Sequence, residues 1–202
     1  MTQTILIRAR RFAVPVLLSL LAGCVPPAAS PVIAPPPVAS APVAVDPSRM
    51  ESEATIATSI ASTPGLGMLA MELRTAELDQ LLGGDGPYTL FAPTDAAFAH
   101  LAPGIARDLL APENRSALVA LLRYHVVAGT MTTEQLTDRI RAGGGRATLT
   151  TLGGQPITAT MTGDVITLTS VTGNRSYVEA ADVAQVNGVI HVVNGVLVPK
   201  LP

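Results

Sequence analysis

From about residue 147 to residue 198 the chain is written largely in Val, Ile, Thr, Leu and Ala. Gly153-Gly154, Thr162-Gly163-Asp164, Gly173-Asn174, Asn187-Gly188 and Asn194-Gly195 cut it into short runs. β-Branched side chains pack well on a pleated surface, whereas Gly, Asn and Asp supply the turn conformations that other residues resist. The pattern predicts consecutive strands joined by hairpin turns. A sheet built this way has an apolar face to cover, so the preceding segment must supply the cover.

That segment has helical spacing. Between Glu51 and Leu82, apolar positions recur at three and four residues through Ile56, Ile60, Met68, Leu69, Leu78, Leu81 and Leu82, with Glu72 on the same period. Pro64-Gly65 and Gly83-Gly84 punctuate it. Tyr88 to Pro93 reads as a short strand stopped by proline, after which Thr94 or Asp95 offers an N-cap for Ala96 to Leu101. Ile105 to Leu110 and Glu113 to Leu122 again carry helical spacing, and Tyr124 to Val127 turns β-prone. Thr132-x-x-Gln135 forms a capping box for a helix that ends at Gly143-Gly144-Gly145. The expected class is α+β, with N-terminal helices packed on an antiparallel β-sheet, in one domain over residues 51–202. That length is enough to bury a core without disulfides.

Residues 1–50 follow different rules. Arg8, Arg10 and Arg11 precede an apolar run from Phe12 to Leu21, the layout of an export signal and too short for the about 20 apolar residues that span a bilayer. The run ends in Leu21-Ala22-Gly23-Cys24, which resembles the lipobox of bacterial lipoproteins. The resemblance implies a signal peptide over residues 1–23 and a lipid on the sulfur of Cys24, hence a membrane as partner. Two or three acyl chains anchor stably where one does not. Residues 24–50 read as a tether: eight prolines lie among small residues from Val25 onward, with no charge before Asp46. Such a segment favours polyproline II and reaches about 80 Å. Val25 after the cysteine is not the Asp that commonly retains lipoproteins in the inner membrane. The expected location is therefore the cell envelope, at the outer membrane, facing the periplasm or the cell surface.

Composition narrows the chemistry. Cys24 is the single cysteine, so neither an intrachain disulfide nor a Cys-based metal site is expected. Without the three arginines of the signal, ten basic side chains face 15 acidic ones, and Lys200 is the one lysine. With no basic cluster and few aromatics, nucleic acid is not an expected partner. His100, His125 and His191 lack metal-ligand spacing, and no nucleophile elbow, P-loop or EF-hand loop occurs. Gly65-Leu66-Gly67-Met68-Leu69-Ala70 matches G-x-G-x-x-A but follows a proline in a helical stretch, so it reads as a helix entry. Asn114-Arg115-Ser116 and Asn174-Arg175-Ser176 read as loops. No enzyme, cofactor or metal is expected.

Two stretches resemble the signatures of the fasciclin (FAS1) family. Thr89-Leu90-Phe91-Ala92-Pro93-Thr94-Asp95-Ala96-Ala97-Phe98 is similar to the first. The second is matched by Asn187-Gly188-Val189-Ile190-His191-Val192-Val193-Asn194-Gly195-Val196-Leu197-Val198-Pro199. Tyr124-His125-Val126-Val127 lies between them, where the family has its Tyr-His segment. Asn194 stands where the second signature usually has Asp, which removes a charge and keeps an acceptor. The resemblance implies a FAS1 fold and a role in adhesion or in protein or polymer binding, with an envelope protein or polysaccharide as partner. The positions that match adhesion segments attributed to the family are Tyr124, His125, Asp182 and Val183. His125 and His191 equally suit the core, since Val189, His191 and Val193 share a strand face. The alternative expectation is a periplasmic small-ligand carrier or sensor with a pocket between helices and sheet.

Overall fold

The computed structural model describes residues 44–101 and 108–201. The expected signal peptide, Cys24, most of the tether and part of the expected helix at Ile105 to Leu110 lie outside them.

The helical stretch before the first strand is three helices: α1 (Ile56–Ser62), α2 (Gly67–Thr75) and α3 (Asp79–Leu82). Thr55 caps α1, its hydroxyl accepting from Thr58 N. Pro64-Gly65 makes the first break, as the sequence indicates. The second falls at Glu77, whose φ of 57° lies in the left-handed region, and no turn residue announces it. Strand β1 (Tyr88–Pro93) leads into α4 (Asp95–Ala99), capped by the Thr94 hydroxyl, which accepts from Ala97 N at 3.1 Å. Next come α5 (Arg115–Tyr124), β2 (Val126–Ala128) and α6 (Thr133–Ala142). The Thr132 and Gln135 side chains at the start of α6 complete the capping box in both directions. Tyr124 is therefore the last residue of a helix, not the first of a strand. The two Asn-x-Ser stretches differ from loops as well, since Arg115 opens α5 and Arg175 opens a strand.

The remaining strands are β3 (Arg146–Thr150), β4 (Pro156–Thr162), β5 (Val165–Thr169), β6 (Arg175–Gln185) and β7 (Gly188–Val193). They join β1 and β2 in one sheet of order β2-β1-β7-β6-β5-β4-β3. The turns fall at the expected glycine and asparagine breaks. Every pairing is antiparallel except β1 with β7, which run parallel from Tyr88 beside Gly188 to Pro93 beside Val193. The parallel pair joins the two signatures along their length. A Cβ at Gly188 would overlap the Tyr88 carbonyl, so the close approach requires glycine there. Strand β6 leaves β5 for β7 partway along, through register shifts between Val178 and Val183. A single bridge, Val127 with Thr151, brings the two outer strands together.

Strand alternation gives the β1–β7 pair two buried faces. Leu90, Ala92, Ile190 and Val192 face a core with α1, α2, α3, α4 and α5. Phe91 and Val193 face a second core, with Tyr124, Leu136, Leu149, Ile157 and Leu168. Among the described residues no helix is long and apolar enough to cross a membrane.

Candidate interaction site

Tyr124 and His125, the Tyr-His segment, are placed by the end of α5. The apolar positions Leu118, Leu121 and Leu122 pin the helix to the first core, and its final turn delivers both rings inward. Tyr124 is completely buried; its hydroxyl donates to Pro156 O at 2.7 Å and accepts from Val171 N at 3.0 Å. The phenol thus links β4 to the β5–β6 turn. Burial raises its pKa.

His125 is the C-cap of α5 and is buried. Its Nδ1–H donates to Leu121 O at 2.9 Å, and Nε2 accepts from Leu197 N at 3.0 Å, a pairing that requires the neutral ring in one tautomer. Its carbonyl also accepts from Phe91 N. One residue therefore joins a helix end, β1 and the segment after β7. Burial pushes its pKa down to about 4. Neither ring can touch a partner in the folded state.

Asp182 and Val183 sit where β6 changes neighbours. Val183 is buried against the first core. Asp182 is exposed and left-handed, with φ 58°. Its N–H donates to His191 Nδ1 at 3.2 Å, and its carboxylate accepts from Thr133 N at 2.7 Å, at the start of α6. The His191 ring is buried, stacks on Phe91 at 5.5 Å between centroids, and donates from Nε2 to Met131 O at 2.8 Å. Burial is the main reason that its pKa is lowered. The bulge is thus held from beneath by a neutral imidazole and from the side by a helix start. The four candidate residues do not form one surface: Asp182 alone points outward.

Three other functional-looking residues prove to be connectors. Asp95 does not cap its own helix; its Oδ1 accepts from Met68 N at 2.8 Å, and its N–H donates to Gly65 O. This secures the G-x-G-x-x-A stretch as the entry to α2. Asn187 Oδ1 accepts from Ile56 N at 2.9 Å while Nδ2 donates to Leu82 O and Gly84 O, tying both ends of the helical layer to the β6–β7 turn. Asn194 Oδ1 accepts from Tyr177 N at 2.9 Å, a bond that needs an acceptor and no charge.

Glu72 carries no signal beyond its place in the helical period. It is completely buried on α2, both carboxyl oxygens lack a hydrogen-bond partner, and burial pushes its pKa up to about 8. Burial thus favours its neutral form. Among the described residues no three His, Cys, Asp or Glu side chains gather as a metal site would require.

The arrangement is a bonded α+β scaffold with one conformationally fixed acidic bulge. Comparison with known proteins gives it a family: a model of the fasciclin domain matches residues 64–199, and the chain belongs to the fasciclin family. Protein sll1483 of Synechocystis sp. is 33% identical over 157 residues, covering 78% of this chain and 80% of that protein. Human periostin is 34% identical over 125 residues, covering 62% of this chain and 13% of periostin, so the chain spans a small part of that relative. The solved FAS1 domain pair of the insect cell adhesion molecule Fasciclin I superposes with a TM-score of 0.63. At 18% identity it covers 74% of this chain and 51% of that structure. This likeness establishes the fold.

Proposed function

We propose that the chain is an envelope lipoprotein whose FAS1 domain binds another envelope macromolecule, without catalysis. The observation that carries this reading is the Asp182 bulge. It is an exposed carboxylate on left-handed backbone, fixed by His191 and Thr133, and a partner meets it without ordering a loop first. The insect relative is a cell adhesion molecule, which supports the class. The lipobox-like Leu21-Ala22-Gly23-Cys24 and the proline-rich segment support anchoring and display. In this reading Tyr124 and His125 act through the fold, and Asp182 makes the contact.

Crosslinking and pull-down from intact cells test the proposal, comparing the wild type, Cys24→Ala and a form lacking the FAS1 domain. The expected result is an envelope protein or polymer captured by the wild type and lost with the domain. Cys24→Ala is expected to reduce capture by releasing the chain from the membrane. Copurification of a small metabolite with no macromolecule would favour the carrier reading instead.

A further inference from the structure

The sheet closes incompletely, and the gap has a distinctive chemistry. Among the described residues, strand β3 pairs with β4 on one side and with no full strand on the other. Its register sets Thr150 opposite Pro156, which has no N–H, and continues to Thr151, whose N–H reaches Gln155 O. The alternation of an antiparallel ladder then turns the backbone of Arg146, Thr148 and Thr150 toward the open side. Leu152 shows the same phase, its N–H bonding across the gap to Val126 O at 2.8 Å. The Val127–Thr151 bridge closes that end and the Arg146 carbonyl packs against Gly143 at the end of α6, so the opening is centred on Thr148 between them.

Two adjoining clefts occupy this opening, of about 540 and about 420 Å³, sharing Arg139 and Thr148. Arg146 lines the first, and Thr150 and Thr151 the second; no Asp or Glu lines either. In a chain with 15 acidic residues, this is a local reversal of charge. Arg139 and Arg146 are exposed, and neither joins an ion pair among the described residues, whereas Asp138 on α6 is engaged by Arg141. From the clefts the sheet face turned away from the second core continues in registered rows, exposed or half-buried except at Thr167, which is buried. Arg146, Thr160, Thr167 and Tyr177 form one, and Thr148, Thr158, Thr169 and Arg175 the next.

Threonine is an ordinary strand former, and the rows alone would define nothing. The unpaired guanidiniums do. Their planar forks match carboxylates, and threonine hydroxyls both donate and accept, as sugar hydroxyls require. An acidic peptide added as a strand would need a longer open ladder than the opening at Thr148 provides.

We propose that the β3-edge cleft binds a carboxylated polysaccharide, with Arg139 and Arg146 holding its carboxylates and Thr148 a neighbouring hydroxyl. This rests on the binding-module reading above and gives the domain a second contact surface, separate from the Asp182 bulge, with its own class of partner.

The test is affinity electrophoresis of the whole chain through gels containing polygalacturonate, neutral dextran or poly-L-glutamate. Polygalacturonate is expected to retard the wild type, and the other two polymers to retard it far less. Arg139→Gln with Arg146→Gln is expected to weaken the retardation roughly tenfold or more, as loss of charge-assisted bonds implies. Arg49→Gln with Arg74→Gln makes the same change in net charge elsewhere and is expected to leave it unchanged. Absence of retardation, equal loss in both double variants, or equal retardation by poly-L-glutamate overturns the inference. If cells still yield a partner that depends on the domain while Arg139→Gln with Arg146→Gln changes nothing, the cleft assignment fails and the binding-module reading survives.

Discussion

The titratable groups buried in the cores on the two faces of the β1–β7 pair are held in opposite ways. On the side of Phe91, Tyr124 and His191 have every ring heteroatom bonded, and His125 closes the junction in the same manner. On the helical side Glu72 is buried with both oxygens unpaired. Both arrangements place polar atoms away from water, yet the satisfied ones specify which elements meet while the unsatisfied one lowers stability whenever it ionises. The contrast teaches that polarity in this interior cannot be read as function without its bonds.

The largest effect expected to sharpen this comparison is the pH dependence imposed by Glu72. Its folded pKa is raised from 4.5 to about 8. The neutral form favours folding fully below pH 4.5, and the advantage is lost as pH rises through about 8. Urea unfolding is expected to show stability falling by roughly 3 to 5 kcal/mol across that window from this group, and Glu72→Gln is expected to remove the slope. His125 acts in the opposite sense. Its folded pKa is lowered from 6.5 to about 4, so its contribution is complete above 6.5 and lost as pH falls through about 4. The two windows overlap and their slopes cancel there, so stability of the wild type should be level between pH 4.5 and 6.5 and fall on either side, and His125→Ala should abolish the acid-side fall while costing about 4 kcal/mol near neutrality. A fully retained melting temperature in His125→Ala would break the comparison.

A smaller effect separates the tyrosine's ring from its hydroxyl. Tyr124→Phe keeps the packing and leaves Pro156 O and Val171 N without their shared partner, at an expected cost of about 2 kcal/mol by chemical denaturation. The smallest concerns the departure from the family pattern. Asn194→Asp restores the usual residue, and because either side chain accepts from Tyr177 N, stability is expected to change by less than about 0.5 kcal/mol.

Local features were legible in the sequence wherever they depended on neighbours a few residues away. The Thr132–Gln135 capping box, the Thr94 cap and the glycine-marked hairpins are of this kind. Features set by distant pairing were not. The parallel run of β1 beside β7, the change of partner along β6 and the cap that Asp95 gives to α2 each join segments separated by a loop or by most of the domain. The shared face of Val189, His191 and Val193 pointed to an internal His191, and the Phe91 stack and Met131 bond show what occupies that face. The candidate site divided along the same line. Tyr124 and His125 stand out in the sequence for packing reasons, since a tyrosine and histidine at a helix end bond two strands and a terminal segment. Asp182 stands out less in sequence, yet carries the exposed geometry. The Glu72 period was visible as part of a helix, but its lack of a partner depends on what every packed element leaves out. The β3-edge cleft arises from strand order and had no marker in Arg139 or Arg146 considered singly.

The measurement closest to the central claim compares partner capture by the wild type, Asp182→Gly and Tyr124→Phe in intact cells, with the melting temperature of each purified chain beside it. Glycine accepts the left-handed backbone at residue 182 and deletes the outward carboxylate. Asp182→Gly is predicted to lose capture at temperatures where the chain is fully folded, its melting lowered only by the lost Thr133 bond, while Tyr124→Phe melts earlier and still captures the partner below its transition. Capture that survives Asp182→Gly and disappears in a folded Tyr124→Phe would contradict the role given to Asp182.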